Sequence, residues 1–274
     1  MTRRPWRAAL LLLAALCGPT LAHDSWFAPL PTPRAGDVRL ALGTGTRFPV
    51  QDGSVGEGAP VAQACRHGDA KPQPLRVERD TPTALIFRAH PVSKASARAG
   101  HGRISCWAQL VPLEVVIAPE IVPLYLREIN ASKALRETWA EMLARGVAWK
   151  EHYTKHARTE RFDARLRQGD APAPQPAAMG MDIVLDGLAQ PPRIGEEIAF
   201  TLLRDGAPLA GLPVELRSSR IALGLWLQTD AQGHAAVRLP FAGEWLLRAV
   251  DLRLSPNVKD EWESRFVTLT FEVR

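Results

Sequence analysis

The chain has 274 residues, 46% of them hydrophobic, with a formal net charge of +5 at pH 7. It opens with a basic stretch that contains Arg3, Arg4 and Arg7, continues through an apolar run, and reaches small residues at Thr20-Leu-Ala22. This order of basic, apolar and small residues is typical of a secretory signal peptide. We therefore predict residues 1–22 as the signal and a periplasmic or secreted location for the mature protein.

The predicted mature chain is almost neutral, because three of the 34 basic residues leave with the signal and 29 acidic residues remain, which makes a net charge of +2. A nucleic-acid-binding surface needs a clear excess of basic residues, so we expect no nucleic-acid partner. No later stretch is long and apolar enough for a transmembrane segment, so we expect a soluble mature chain.

Three cysteines occur in the sequence, and Cys17 lies in the predicted signal. Cys65 and Cys106 remain as an even pair in an oxidising compartment, which favours a disulfide. Closing a loop of about 40 residues would contribute ~4 kcal/mol in the chain-entropy account. The alternative, a two-thiolate metal site, lacks a second pair nearby.

Residues 23–120 show short runs of β-forming residues separated by Gly, Pro and Asp clusters, a pattern that is typical of a β-sandwich. We therefore predict an N-terminal β-sandwich-like domain here. Its predicted strands are 38–42, 75–78, 84–88, 104–110 and 113–117.

The pattern becomes helical and charged over residues 121–167, which we predict to be an insertion. Asn130 is the expected N-cap of a helix that Gly146 ends. The strongly charged part from Trp149 to Leu166 fits either a helix or an extended connector. Residues 168–180 are rich in Pro and Ala, and we predict a stiff linker there.

Residues 181–274 return to the strand pattern and predict a C-terminal immunoglobulin- or transthyretin-like β-sandwich. Gly233 closes a tight turn after Asp230, where we expect a positive φ. The fold class is therefore mainly β, with two β-sandwich-like domains and a helical insertion between them. The predicted strands are 182–185, 197–203, 214–217, 223–229, 235–239, 244–250 and 266–273.

Cleavage after Ala22 would make His23 the first residue of the mature protein. A terminal histidine carries an α-amine and an imidazole in one residue, and this pair of nitrogens suits Ni, Co, Cu or Zn. Asp24 is the adjacent candidate ligand. Asp251 and Glu263 are further candidates if the C-terminal strands lie beside the N-terminus, although Asp and Glu are usually ordinary surface residues.

His152 and His156 form a second candidate metal pair, because residues four apart share one face of a helix. The segment lacks the glutamate after the first histidine that a zinc protease requires, and basic neighbours would repel a cation. The alternative is a solvated, charged face. No Gly-x-Ser-x-Gly elbow and no glycine-rich phosphate loop occur, so we expect no catalytic residues of these kinds.

Several segments carry a common pattern: Ala22-His-Asp-Ser-Trp-Phe27, Gly43-Thr-Gly-Thr-Arg-Phe-Pro49, Tyr125-Leu-Arg-Glu128, Tyr153-Thr-Lys-His-Ala-Arg158, Gly206-Ala-Pro-Leu-Ala-Gly211, Thr229-Asp-Ala-Gln-Gly233, Gly243-Glu-Trp-Leu246, Trp262-Glu-Ser264 and Thr268-Leu-Thr-Phe271. Together, these segments resemble the family called domain of unknown function 4198. Members of that family are described as nickel or cobalt transport components, or as similar to glycoside hydrolase family 25. They often carry a histidine just after the strand that matches Trp245–Val250, where this chain has Asp251, a harder ligand that weakens an all-nitrogen copper site.

The resemblance implies a secreted, β-rich protein linked to transition-metal uptake. We therefore expect a non-enzymatic protein that is accessory to nickel or cobalt uptake, with a metal ion as ligand and a membrane metal transporter as a further partner. One alternative is an envelope interaction or carbohydrate-binding module, in which tryptophans form a sugar-stacking face instead of core. The other is a copper oxidase of the terminal-histidine kind, which needs a second histidine near His23.

Overall fold

The structure is a computed structural model that describes residues 23–89, 102–163, 175–222 and 224–274. The predicted signal peptide over 1–22 lies outside these residues. So do residues 90–101 of the predicted N-terminal domain, residues 164–174 at the end of the insertion and the start of the linker, and Leu223 of a predicted strand. Among the described residues, no helix has the length and apolar character that crossing a membrane would require.

Strands dominate the described part of the chain. The first nine are β1 (Asp24–Pro29), β2 (Val38–Gly45), β3 (Gly53–Ser54), β4 (Pro60–His67), β5 (Gln73–Pro74), β6 (Arg76–Asp80), β7 (Leu85–Ala89), β8 (Arg103–Leu110) and β9 (Leu113–Ile117). Two helices follow, α1 (Val122–Glu128) and α2 (Lys133–Ala144). The remaining strands are β10 (Trp149–Phe162), β11 (Met181–Leu185), β12 (Glu197–Arg204), β13 (Ala207–Pro208), β14 (Pro213–Ser218), β15 (Leu225–Gln228), β16 (His234–Arg238), β17 (Gly243–Leu254) and β18 (Trp262–Val273).

These strands form three sheets. The N-terminal sheet has the order β1-β2-β7-β6, with β3 on β2. The large sheet has the order β15-β14-β17-β18-β10-β8-β4-β5, with β9 on β10. The C-terminal sheet has the order β11-β12-β13, with β16 on β12. The predicted mainly β, sandwich-like fold is therefore confirmed.

The large sheet is the central layer, and β18 shows both of its faces. Side chains alternate along a strand, so neighbouring residues of β18 point to opposite sides. On the first face, the hydroxyl groups of Thr268 and Thr270 donate to the carbonyls of Ser25 and Phe27 in β1. On the second face, Val267, Leu269 and Phe271 pack in the core of the C-terminal sheet, with residues such as Ile183 and Phe200.

The two helices cover the first face beside the N-terminal sheet. Trp139 of α2 packs edge-on against Trp149, at 5.3 Å between ring centroids, and Trp149 stacks on Trp262 at 4.5 Å. The predicted N-cap is wrong: the hydroxyl of Ser132, not the side chain of Asn130, accepts from the Leu135 amide at the start of α2. Asn130 instead has a φ of 49° in the turn between the helices.

The charged segment after the helices is strand β10, which lies in the interior of the large sheet. It pairs in parallel with β18 and antiparallel with β8 and β9. Its charges are tolerated inside the protein because they pair: Arg158 contacts Glu160 at 2.8 Å and Asp182 at 2.7 Å. Glu160 also contacts Arg103 at 2.9 Å.

This position of β10 revises the predicted domain organisation. The change of pattern at residue 121 predicts that an insertion begins there and separates two sandwich-like domains. In the structure, β10 comes from the predicted insertion, yet it joins β8 of the N-terminal half to β18 of the C-terminal half in one sheet. Parallel neighbours are distant in sequence and leave no turn signal, which explains why the local pattern does not reveal the pairing.

The predicted disulfide is present. Cys65 of β4 and Cys106 of β8 face each other in register, with their Cα atoms 4.0 Å apart, and both are fully buried. The bond therefore links two adjacent strands of the large sheet, on the face that packs against Phe27, Leu42 and their neighbours in the N-terminal sheet.

Candidate functional site

The predicted mature N-terminus lies at the start of β1, on the first face of the large sheet. His23 immediately precedes the strand and is partly exposed. Its carbonyl accepts a hydrogen bond from Nζ of Lys155 in β10, at 2.6 Å. The backbone that carries the predicted metal anchor is therefore attached to the centre of the large sheet.

Asp24 is buried in an ion-pair network and is engaged by arginines. Its carboxylate lies 3.0 Å from Nε of Arg248 and 3.4 Å from Nη1 of Arg217. Both arginines also contact Glu215, at 2.8 and 3.0 Å. Burial opposes the charge of Arg248, but Asp24 and Glu215 outweigh it and raise the pKa of the guanidinium. Asp24 thus anchors β1, and its oxygens are occupied by cationic side chains.

A pocket of about 180 Å³ lies beside this strand start. Lys155, Ser25 and Tyr153 line one part of it, together with Thr44 and Ser54. Ser25 is only 3% exposed, and its hydroxyl has no hydrogen-bond partner. The rest of the lining is apolar: Val55, Ala59, Leu110, Val111 and Leu113.

Burial shapes the titration of two groups in this pocket. It lowers the pKa of the Lys155 amine, which the negative charge of Asp24 opposes. It also raises the pKa of the Tyr153 phenol, and the charge of Glu151 acts in the same direction. Nζ of Lys155 lies 5.6 Å from the centre of the Tyr153 ring, within the range of a cation–π contact. Perturbed titratable groups in a cleft mark a candidate functional site.

Asp251 and Glu263 lie on the second face, away from the start of β1. Val250 and Leu252 pack with the helices on the first face, so Asp251 between them points to the other side. Asp251 forms an ion pair with Arg204 of β12. The structure therefore does not bring Asp251 together with His23.

Glu263 belongs to the same arginine-rich cluster as Asp251. One of its oxygens lies 2.9 Å from both Arg204 and Arg253. Burial opposes its ionisation, but these arginines outweigh it and lower the pKa of Glu263. A carboxylate held by two guanidinium groups has its lone pairs engaged in charge-assisted hydrogen bonds, so Glu263 is an ion-pair residue in this structure.

His152 and His156 do not share a helical face, because they lie on strand β10. His152 contacts Glu261 through Nε2 at 3.1 Å and Glu114 through Nδ1 at 3.4 Å, so its two nitrogens serve different carboxylates. His156 is 1% exposed and donates from Nδ1 to the carbonyl of Phe266 at 2.9 Å. Burial lowers the pKa of His156 to about 4, so it is neutral at neutral pH.

Within the four described ranges, no group of three or more His, Cys, Asp and Glu side chains is arranged to hold a metal ion. The predicted ligands separate into two sets: His23 and Asp24 on the first face, and Asp251, Glu263, His152 and His156 on the second. Signal cleavage would add one further possible ligand at His23, the α-amine, which is a backbone nitrogen and not a side chain. Of the predicted set, His23 therefore remains a candidate metal ligand.

Sequence reasoning missed Lys155, Ser25 and the arginines that hold Asp24. A signal for two of them was present, because Ser25 and Lys155 lie in segments that carry the family resemblance, around Trp26 and around Tyr153.

Burial largely decides whether the tryptophans form the core or an exposed sugar-stacking face. Trp26, Trp245 and Trp262 are at most 5% exposed, so they are core residues, while Trp226 is partly exposed on β15.

Comparisons with known proteins give a family match over part of the chain. No curated protein matches it. Among solved structures, titin domains A168–A170 are 8% identical with a TM-score of 0.20, over 92% of this chain and 98% of that chain. Native alpha-2-macroglobulin from Escherichia coli, spanning domains MG0-NIE-MG1, is 12% identical with a TM-score of 0.20, over 87% and 95%. TM-scores this low do not indicate a shared fold. Residues 129–251 match the model for domain of unknown function DUF4198, which is the family that the motifs predicted.

Proposed function

We propose that the protein is a periplasmic transition-metal-binding protein, accessory to nickel or cobalt uptake, and that His23 is its anchor ligand. In this proposal, removal of residues 1–22 frees the α-amine of His23. The amine and the imidazole then close a chelate ring on one divalent ion. Both are nitrogen donors of the kind that first-row metals late in the series prefer.

The hydrogen bond from Lys155 to the His23 carbonyl is the observation that carries this proposal. Together with the buried ion pair of Asp24, it fixes the backbone that directly follows the Cα atom of the residue that would chelate the metal. A ligand held in position before binding loses less conformational freedom, so the complex is tighter than that of a free terminal histidine.

The remaining coordination positions would be open to water or to ligands of another molecule. Asp24 is engaged by Arg248 and Arg217, so it serves the position of β1 rather than the metal. A site with two protein nitrogens and open positions suits capture and release better than permanent storage. This supports a role in handing the ion to a membrane metal transporter.

The alternatives receive less support. A carbohydrate-stacking face needs exposed tryptophans, and three of the four candidates are buried. A terminal-histidine copper oxidase needs a second histidine at the metal, whereas the described side chain bonded to His23 is the amine of Lys155. Metal binding without catalysis is therefore the function we favour.

Calorimetric titration of Ni, Co, Cu and Zn into processed protein tests the proposal. The matched sample is the same protein with one glycine before His23, which removes the free amine next to the imidazole and leaves the fold unchanged. We expect binding to weaken at least about tenfold in the extended protein, since one ligand is lost. His234→Gln, at an exposed histidine of β16, is the control and should bind as the wild type does. Equal affinity in the processed and extended proteins would overturn the proposal.

A further inference from the structure

The pocket beside β1 contains two polar groups whose binding capacity is only partly used. Ser25 is 3% exposed, and its hydroxyl has no hydrogen-bond partner. A buried hydroxyl without a partner is unfavourable, so such groups usually mark a place where water or a ligand binds. The amine of Lys155 lines the same pocket and has three N–H donors, one of which reaches the carbonyl of His23.

The positive charge of Lys155 lacks a direct counterion in the part of the chain that the structure describes. No carboxylate there lies within 4.0 Å of its Nζ, and the nearby Asp24 is held by Arg248 and Arg217. A partly buried cation without a paired anion is costly, because burial removes water from the charge. An anion that enters the pocket would relieve this cost.

The other walls of the pocket limit what such an anion can be. Val55, Ala59, Leu110 and Leu113 provide an apolar lining opposite the polar groups. The volume of about 180 Å³ has room for a small organic molecule. A small anion with a short apolar chain matches both halves of the pocket, whereas a phosphate or sulfate would leave the apolar walls without a partner.

We propose that this pocket binds a small monocarboxylate with a short aliphatic chain. The carboxylate accepts hydrogen bonds from the amine of Lys155 and the hydroxyl of Ser25, and the chain lies against Leu110 and Leu113. This site adjoins the metal site proposed at His23, since Lys155 also donates to the His23 carbonyl. It differs from the metal site in that its two polar groups are side chains of β1 and β10 and it requires no metal ion.

The test uses the complete processed protein, residues 23–274, after treatment with a chelator. Sodium butyrate is titrated in, and binding is followed by two-dimensional amide NMR. We expect saturable shifts that include the amides of Ser25 and Lys155. Butyramide has the same shape without the charge, and its affinity should be at least about tenfold lower, since a hydrogen bond to a charged group is lost. Equal chemical-shift changes with butyrate and butyramide, or changes that do not saturate, would overturn the proposal from the wild-type protein alone.

Variants then assign the contacts. Lys155→Met keeps the length of the side chain and removes its charge, and Lys150→Met changes an exposed lysine of the same strand. Butyrate affinity should fall about tenfold in Lys155→Met and stay unchanged in Lys150→Met. Ser25→Ala should weaken binding by about three- to tenfold, since one hydrogen bond is lost. Equal losses in both lysine variants would contradict the assignment. If the protein binds nickel but not butyrate, the pocket proposal is rejected and the metal proposal stands.

Discussion

Asp24 and Arg248 form a buried ion pair across 224 positions of sequence, with Asp24 Oδ2 3.0 Å from Arg248 Nε. The pair attaches the first residue of β1 to β17 in the large sheet. Arg248 also donates to the carbonyl of Glu128 at the end of α1, at 3.2 Å. One guanidinium thus connects the N-terminal strand, a helix and the central sheet next to His23.

Replacement of Asp24 by Asn should therefore destabilise the whole fold. The change leaves Arg248 with a single carboxylate partner, Glu215, and breaking a buried pair typically costs about 3 kcal/mol. Urea unfolding followed by tryptophan fluorescence measures the loss. Glu197→Gln removes an exposed pair with Arg238 and should cost less than about 1 kcal/mol. If the two variants lose the same stability, the pair at β1 does not anchor the strand.

His156 should make stability depend on pH in a defined window. Its pKa falls from 6.5 to about 4 in the folded state, because burial disfavours the charged ring. Between these values the unfolded state binds the proton more tightly, so stability falls as the pH falls from about 6.5 to 4. The full shift corresponds to about 3 kcal/mol.

The variant His156→Asn isolates this contribution, because the Asn amide can still donate toward the carbonyl of Phe266 but does not titrate. Unfolding free energies measured from pH 4 to 7 should decline less steeply toward acid in this variant than in the wild type. His234→Asn removes an exposed histidine and should keep the wild-type slope. A wild-type slope in His156→Asn would show that another group causes the acid dependence.

The disulfide between Cys65 and Cys106 should contribute strongly to stability. It closes a loop with a sequence separation of 41, which corresponds to ~4 kcal/mol of unfolded-state entropy. We expect the double variant Cys65→Ala/Cys106→Ala to lose about this amount in urea unfolding. Reduced wild-type protein is the matched control, since it lacks the bond but keeps both side chains. An unchanged midpoint after reduction would contradict the estimate.

Gly43 should not tolerate a side chain, although its φ is not in the left-handed region. It lies inside β2. An added Cβ would come within 2.6 Å of the Thr83 carbonyl oxygen. Gly43→Ala should therefore lower the free energy of unfolding by about 2 kcal/mol through overpacking. At Gly58 nothing lies within 4 Å of an added Cβ, so Gly58→Ala should show no comparable loss.

Local sequence determined a large part of this protein. Alternating apolar residues located most of the longer strands, for example 113–117, which the structure reproduces as β9. Gly233 has the predicted positive φ, at 74°. The even pair of cysteines that remains after the predicted signal was sufficient to predict the disulfide. These features depend on neighbouring residues or on composition, so they can be recognised without the fold.

Tertiary structure alone decided which distant residues meet. β10 is charged, yet it lies inside the large sheet because Arg158 and Glu160 find partners on other strands. The face of a strand on which Asp251 lies, and the pairing of Asp24 with Arg248, depend on sheet register across the whole chain. The packing of β1 against the large sheet also places Lys155 beside His23. Contacts of this kind arise only when segments far apart in sequence are brought together, and no local pattern encodes them.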